Sequence, residues 1–399
     1  MRIKFENANI ITCNESFEII KGDLVVCDNV IESVGEKVLG NFDRVIDCNF
    51  GILMPGLINC YANLNLGEYK GKICNNSIDE LYDNLNTSER TLTSTDAYNS
   101  KVNGCLELIK NGVTCVADFG RFNNEFVKSL SKTKIRGVVP VGVFDDDEIV
   151  DFKTIENQIN KIKYIKDVDI VLYVKNMYNL EELQYIDLIK LCKKYNLTFI
   201  TSASETLFDV GECVNKNECT PIELLESYGM FDGECSLINA VNVDKDEMDI
   251  LKNYNVNVIS TPSSNLQTGA GVAPIFSYLN KGINVALGTG YSALTKLDIL
   301  NEINLLSLLQ KGVMHNSKII EDKDAILAST INSAKALGLS KIGVLQKGYF
   351  ADIILVDGSN IIPLNNIAKN IVNFANASNI KLTMINGEIL YENGRFTNI

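Results

Sequence analysis

The chain has 399 residues, enough for one large domain and a smaller one, and 46% of them are hydrophobic, as in ordinary globular proteins. Lysine and arginine number 37 against 50 aspartates and glutamates, and the basic residues are scattered rather than gathered into a phosphate-neutralising stripe, which argues against nucleic acid as a partner. The opening MRIKFENANIITCNESFEII is alternating and polar, without the continuous apolar run of a signal peptide or membrane span, so a cytoplasmic protein with no membrane partner is expected.

From the N-terminus, IKFENANIITC, GDLVVCDNVIESVG and RVIDCNFGILMPG read as short strands reversed at DN and at glycines, a β-meander. GILMPGLINCYANLNL then opens a second region in which apolar runs alternate with amphipathic stretches. These runs are VTCVADF, IRGVVPVGVF, DIVLYVKN, LTFITSAS, SLINAVNV, VNVIST and NVALGTG, and LEELQYIDLIKLCKKYN is typical of the helix-period sequence between them. Strands buried on both faces read as continuous hydrophobic runs, and with the opening strand the set closes a parallel α/β barrel of (β/α)8 TIM type, since no GxGxxG supports an open doubly wound sheet. The chain ends as it began, with ADIILVDGS and IKLTMINGEILYENGRF, where Asn386-Gly387 marks a hairpin. We expect residues 1–53 and 346–399 to form one small composite β-sandwich around a barrel of residues 54–345.

Eleven cysteines are dispersed without a CxxC pair and are expected to be buried free thiols; Cys213 and Cys219 are close in sequence, but a loop coincidence is the simpler reading. Cys60 is expected, by strand alternation, to point away from Tyr61.

Six segments in order resemble the amidohydrolase superfamily, specifically its branch of cytosine, guanine and adenosyl-type deaminases and triazine chlorohydrolases. They are MPGLINCYANLNL, NGVTCVADF, FITSASET, LINAVNVDKDEMDIL, STPSSNLQTGAGVAPIFSYLNKGINVALGTGYSA and NSAKALGLSKIGVLQKGYFADIILVD, and they span most of the chain. The resemblance implies a divalent metal held by a His-x-His pair after strand one, a His at the end of strand five and an Asp at the end of strand eight, leaving one position for an activated water. Here those positions carry Tyr61, Asn63, Ser202 and Gly290. The strand-six histidine that steers the hydroxide is Asn239, and a substrate-reading histidine after strand four is Lys175. The chain's single histidine, His315, falls in the helical region after strand eight, away from a barrel mouth.

Glu205 in SASET stands where the resemblance places a proton-shuttling glutamate; a structural remnant is the equally ready alternative. Lys175 is expected either to form a buried ion pair with Glu205 or to meet a substrate, the pairing being favoured. Asp118 at the end of strand two and Asp145, Asp146 and Asp147 after strand three lie toward the same end, where an acidic run is usually a solvated turn. SSNLQTGAG, with Asn265, reads as a backbone loop lining the pocket.

The sequence therefore leads us to expect a degenerate amidohydrolase with no metal and no other cofactor, its pocket formed by Tyr61, Asn63, Lys175, Ser202, Glu205, Asn239, Asn265 and Gly290. The expected partners are a small-molecule ligand at the mouth and a second subunit, either an identical copy or an active relative. The alternative is an atypical deaminase using Glu205 as acid and base, with a metal-free or rebuilt site.

Overall fold

The computed structural model describes residues 1–73, 77–144, 151–175, 177–178, 180–397 and 399; Asp145, Asp146 and Asp147 lie outside them. The N-terminal strands are β1 (Arg2–Ile11), β2 (Ile19–Cys27), β3 (Val30–Val34), β4 (Arg44–Asp47) and β5 (Ile52–Pro55). The barrel strands are β6 (Leu57–Asn63), β7 (Val113–Asp118), β8 (Arg136–Val143), β9 (Val168–Val174), β10 (Phe199–Ala203), β11 (Cys235–Asn239), β12 (Asn257–Ser260), β13 (Val285–Leu287) and β14 (Gly290–Tyr291). The chain closes with β15 (Ile353–Val356), β16 (Ile380–Ile385), β17 (Glu388–Glu392) and β18 (Arg395–Phe396).

The two termini form one nine-stranded sheet, in the order β18-β17-β16-β15-β5-β1-β2-β3 with β4 on β1. Its halves share one apolar core, in which Ile3, Phe5 and Leu24 meet Ile353, Leu382 and Met384. Asn386 and Gly387, with φ of 51° and 78°, make the two-residue hairpin turn that the sequence announces. β5 still belongs to this sheet, since Met54 and Pro55 pair with Ile354 and Ile353, so the barrel starts at Leu57, slightly beyond the expected boundary.

In the second sheet neighbouring strands are parallel and follow chain order from β6 to β13, and β14 returns to pair with β6. β13 and β14 are the two halves of the eighth stave, interrupted at Gly288 and Thr289, so the sheet closes. Asn59 spans the break: its Oδ1 accepts from the Thr289 amide at 3.1 Å and its Nδ2 donates to Thr289 Oγ1 at 2.8 Å. A side chain on Gly288 would meet the Tyr61 backbone at 2.7 Å, which is why the break can approach β6 so closely.

Inward residues of alternate strand positions, among them Ile58, Ala117, Val171, Ile200, Ile238 and Ala286, fill the lumen. The helix Ile331–Ala336 lies under the N-terminal ends of the strands, where Asn284 Nδ2 donates to the Asn332 carbonyl at 3.0 Å. Arg136, at the start of β8, forks onto both carboxylate oxygens of Asp352 (2.9 and 3.2 Å) and reaches Asp167 at 3.1 Å, tying barrel and terminal sheet together. Among the described residues no helix is long and apolar enough to cross a membrane.

Candidate functional site

At the C-terminal ends of the barrel strands a cavity of about 420 Å³ opens to solvent. Tyr61, Lys175, Ser202 and Glu205 line it, as do residues that the motifs do not reveal: Tyr82 and Asn86 from the helix Ile78–Arg90, Tyr173 and Tyr178 around β9, Asp209 from the helix Leu207–Asn217, and Tyr291 from β14. Tyr173 precedes Lys175 by two positions, so strand alternation could have pointed to it. Nothing in LYDNLNTSER distinguishes Tyr82 from an ordinary helix-face residue.

β6 does not alternate regularly. Its register against β7 shifts between Asn59 and Ala62, and Cys60 and Tyr61 both pack into the lumen cluster. The Cys60 thiol turns downward, donating to the Ser333 carbonyl at 3.5 Å, and burial pushes it up to about 12, which leaves it a neutral hydrophobe. The Tyr61 ring contacts Phe119 (centroids 5.0 Å apart) and Phe119 contacts Tyr173 (4.8 Å), so aromatic side chains fill the space at the strand ends.

Asn63 donates to Glu89 Oε2 at 3.1 Å, away from the cavity, and its buried Oδ1 has no hydrogen-bond partner among the described residues. Asn65 and the Arg121 amide donate to the other oxygen of Glu89 at 2.7 and 2.6 Å, so this carboxylate is held by three N–H groups behind the aromatic cluster. Asn239, at the end of β11, accepts from Thr261 Oγ1 at 2.8 Å, and with Ala240 it has a positive φ. Gly290 packs against Ser264.

The segment SSNLQTGAG is not a loop: Pro262–Thr268 is a short helix, and Asn265 accepts from Thr261 Oγ1 at 3.2 Å and faces a separate small cavity rather than the main one. Asp118 is fully buried in an ion pair with Lys101 and accepts from the Leu64 amide at 2.9 Å, a structural role. Cys213 is buried beside Asn217, with its thiol pushed up to about 11 by burial, and His315 is exposed just beyond the helix Ile299–Val313.

Glu205 accepts a hydrogen bond of 2.5 Å from the Tyr82 hydroxyl. The contact ion pair expected with Lys175 does not form, because Lys175 Nζ donates instead to Asn86 Oδ1 at 2.9 Å, one turn along the same helix as Tyr82. Burial pushes the Glu205 carboxyl up to about 7, with the nearby Asp209 in the same direction, while Tyr82, Asn239 and Lys175 oppose the rise. A carboxyl with that proton affinity can both donate and accept near neutral pH.

A divalent metal is poorly matched to this mouth. Imidazole, thiolate and carboxylate donors in fixed geometry are what such ions require, and the corresponding positions offer a buried phenol, an amide committed to Glu89, a hydroxyl and no side chain. Among the described residues no three His, Cys, Asp or Glu side chains gather where they could hold one ion.

A closed barrel with a titratable pocket at its C-terminal mouth and a sheet made from both chain ends defines the scaffold of the barrel hydrolases. The chain belongs to the amidohydrolase family, whose model matches residues 52–390. It is 31% identical to a 5'-deoxyadenosine deaminase of Methanobrevibacter smithii, over 96% of this chain and 91% of that one. It is 30% identical to a 5-methylthioadenosine/S-adenosylhomocysteine deaminase of Acetivibrio thermocellus, over 98% and 94%. Among solved structures, an adenosine deaminase from Xanthomonas campestris with bound zinc superposes with a TM-score of 0.92 at 17% identity, covering 100% of this chain and 94% of that one. The atrazine chlorohydrolase of Arthrobacter aurescens, complexed with zinc, gives 0.91 at 22% identity, covering 100% and 97%. At such identities the two superpositions speak for the fold alone.

Proposed function

We propose that this chain uses a deaminase scaffold to bind a nucleoside-sized molecule without attacking it through a metal-activated water. One observation carries the reading: the positions that the family resemblance gives to metal and hydroxide hold Tyr61, Asn63, Ser202, Gly290 and Asn239, and the Tyr61 ring stands packed against Phe119. Without imidazole or carboxylate donors at those positions, the set that would hold the ion and lower the pKa of its water is missing. The cavity remains, at about 420 Å³ within the range of small-molecule sites. The relatives' names make 5'-modified adenosines the first ligands to try.

The test is calorimetric titration of the dialysed chain with 5'-deoxyadenosine and S-adenosylhomocysteine, with chromatography for deaminated product and mass spectrometry for metal. Binding without product or stoichiometric metal is expected. Close to one equivalent of zinc, with turnover abolished by a chelator, would overturn the proposal. Glu205, at about 7, favours a second reading: metal-free deamination with this carboxyl as acid and base. That reading requires chelator-resistant product formation lost in Glu205→Gln.

A further inference from the structure

Three tyrosines from three different elements gather beside Glu205, with Tyr291 set edge-on to each of the other two. Tyr61 and Tyr291 have centroids 6.3 Å apart with planes at 83°, and Tyr82 and Tyr291 are 6.2 Å apart at 65°. Rings set at such angles form the corner of a box rather than a stack, and each of the three borders the cavity. The faces of aromatic rings carry negative partial charge, so a corner of this kind attracts a cation that has little hydration to lose.

The charges around the corner have the same sign. Glu205 is buried against Tyr82, and among the described residues no basic side chain forms an ion pair with it. Asp83, Asp209 and Glu212 also border the cavity, as do Lys175 and Lys216, so that among the described residues four carboxyls and two ammonium groups border it. Beyond the effect of burial, the charge of Glu205 opposes ionisation of both Tyr61 and Tyr291, and that of Glu89 adds to it at Tyr61. Among the described residues the charged groups around the rings are thus acidic in balance, and no three of them gather where they could hold a metal ion.

Resting on the binding role proposed above, the geometry points to an organic cation as the ligand: a sulfonium or quaternary ammonium group seated among Tyr61, Tyr82 and Tyr291 and facing Glu205. A neutral base could stack on one of these rings, but only an onium group would meet the rings and the Glu205 carboxylate together.

Two matched pairs of probes test this by calorimetry on the full chain in the presence of a chelator. S-adenosylmethionine and S-adenosylhomocysteine differ by one methyl group and one positive charge; choline and 3,3-dimethylbutan-1-ol differ by nitrogen for carbon. At least tenfold tighter binding of the cation is expected in one pair or both, a preference in the first alone identifying a sulfonium and in the second alone an ammonium. Glu205→Gln should reduce the preference to threefold or less, with Tyr82→Leu as a second variant should the first not fold. Equal binding within both pairs, or no binding by any of the four, overturns the inference. If 5'-deoxyadenosine binds while neither pair shows a preference, the cation seat fails and the binding role survives. If 5'-deoxyadenosine is deaminated, the binding role fails, and the charge preference is decided separately by the two pairs.

Discussion

Gly290 has a φ of 74°, and a side chain there would bring its Cβ to 2.5 Å from the Cβ and Oγ of Ser264. The missing strand-eight carboxylate is thus excluded twice, by backbone conformation and by a neighbour. Restoring the family's donors as Tyr61→His, Asn63→His, Ser202→His and Gly290→Asp should therefore lower the melting temperature and yield no stoichiometric zinc. Metal content after dialysis decides it, one equivalent of zinc in the fourfold variant being the outcome that refutes the argument. For Glu205, burial moves the carboxyl from 4.5 to about 7, so the folded chain binds the proton more tightly than the unfolded one. Its contribution is favourable at low pH and is lost as pH rises from about 4.5 through about 7. Glu205→Gln should raise unfolding free energy by about 1–3 kcal/mol at pH 8 and change it little at pH 4.5. Urea melts at the two values check this, and equal effects at both would refute it. Glu205, Lys175, Ser202 and Tyr61 were legible because each sits at a fixed offset from a strand-end motif. Tyr82 and Asn86 were not, because their approach depends on how the helix Ile78–Arg90 folds over the mouth, which no local pattern encodes.

The barrel staves were legible as elements, since burial on both faces forces largely apolar runs such as VTCVA and VLYV. What the runs do not disclose is where a stave departs from regularity. β6 shifts its register against β7 between Asn59 and Ala62, and the interruption of the eighth stave is bridged by the Asn59 amide, an interaction between residues 230 positions apart. Asn59 is fully buried and makes two hydrogen bonds to Thr289. Asn59→Ala removes the donor to the Thr289 hydroxyl in the closed seam, while the Thr289 amide keeps the Tyr61 carbonyl at 2.9 Å, at a cost of about 1–3 kcal/mol. A denaturant midpoint unchanged from the parent would show that the seam closes without it.

For the molecule as a whole, the expectation of a barrel beside a β-sandwich built from both termini follows from matching strand-like ends around a βα rhythm; the structure has the barrel, and the two termini join in a single nine-stranded sheet. The joint between the two sheets was not legible, because Arg136, Asp167 and Asp352 are unremarkable in sequence and meet only after both have formed. Arg136 and Asp352 are almost fully buried, whereas Asp167 is partly exposed and also meets Lys166, so Arg136→Met strands chiefly the Asp352 carboxylate and should cost about 3–5 kcal/mol, while changing all three to apolar residues should restore most of that loss. Chemical denaturation of the single and triple variants tests this, equal destabilisation of the two being the contrary result. The terminal sheet also sets a timetable. β5 is hydrogen-bonded on one side to β1, a near neighbour in sequence, and on the other to β15. On a translating ribosome the second edge of β5 waits for roughly 300 further residues, on the order of 15–60 s at ordinary elongation rates. Throughout that interval an apolar strand edge stands open to passing chains, so the nascent protein is a natural client for a chaperone until its last strands emerge.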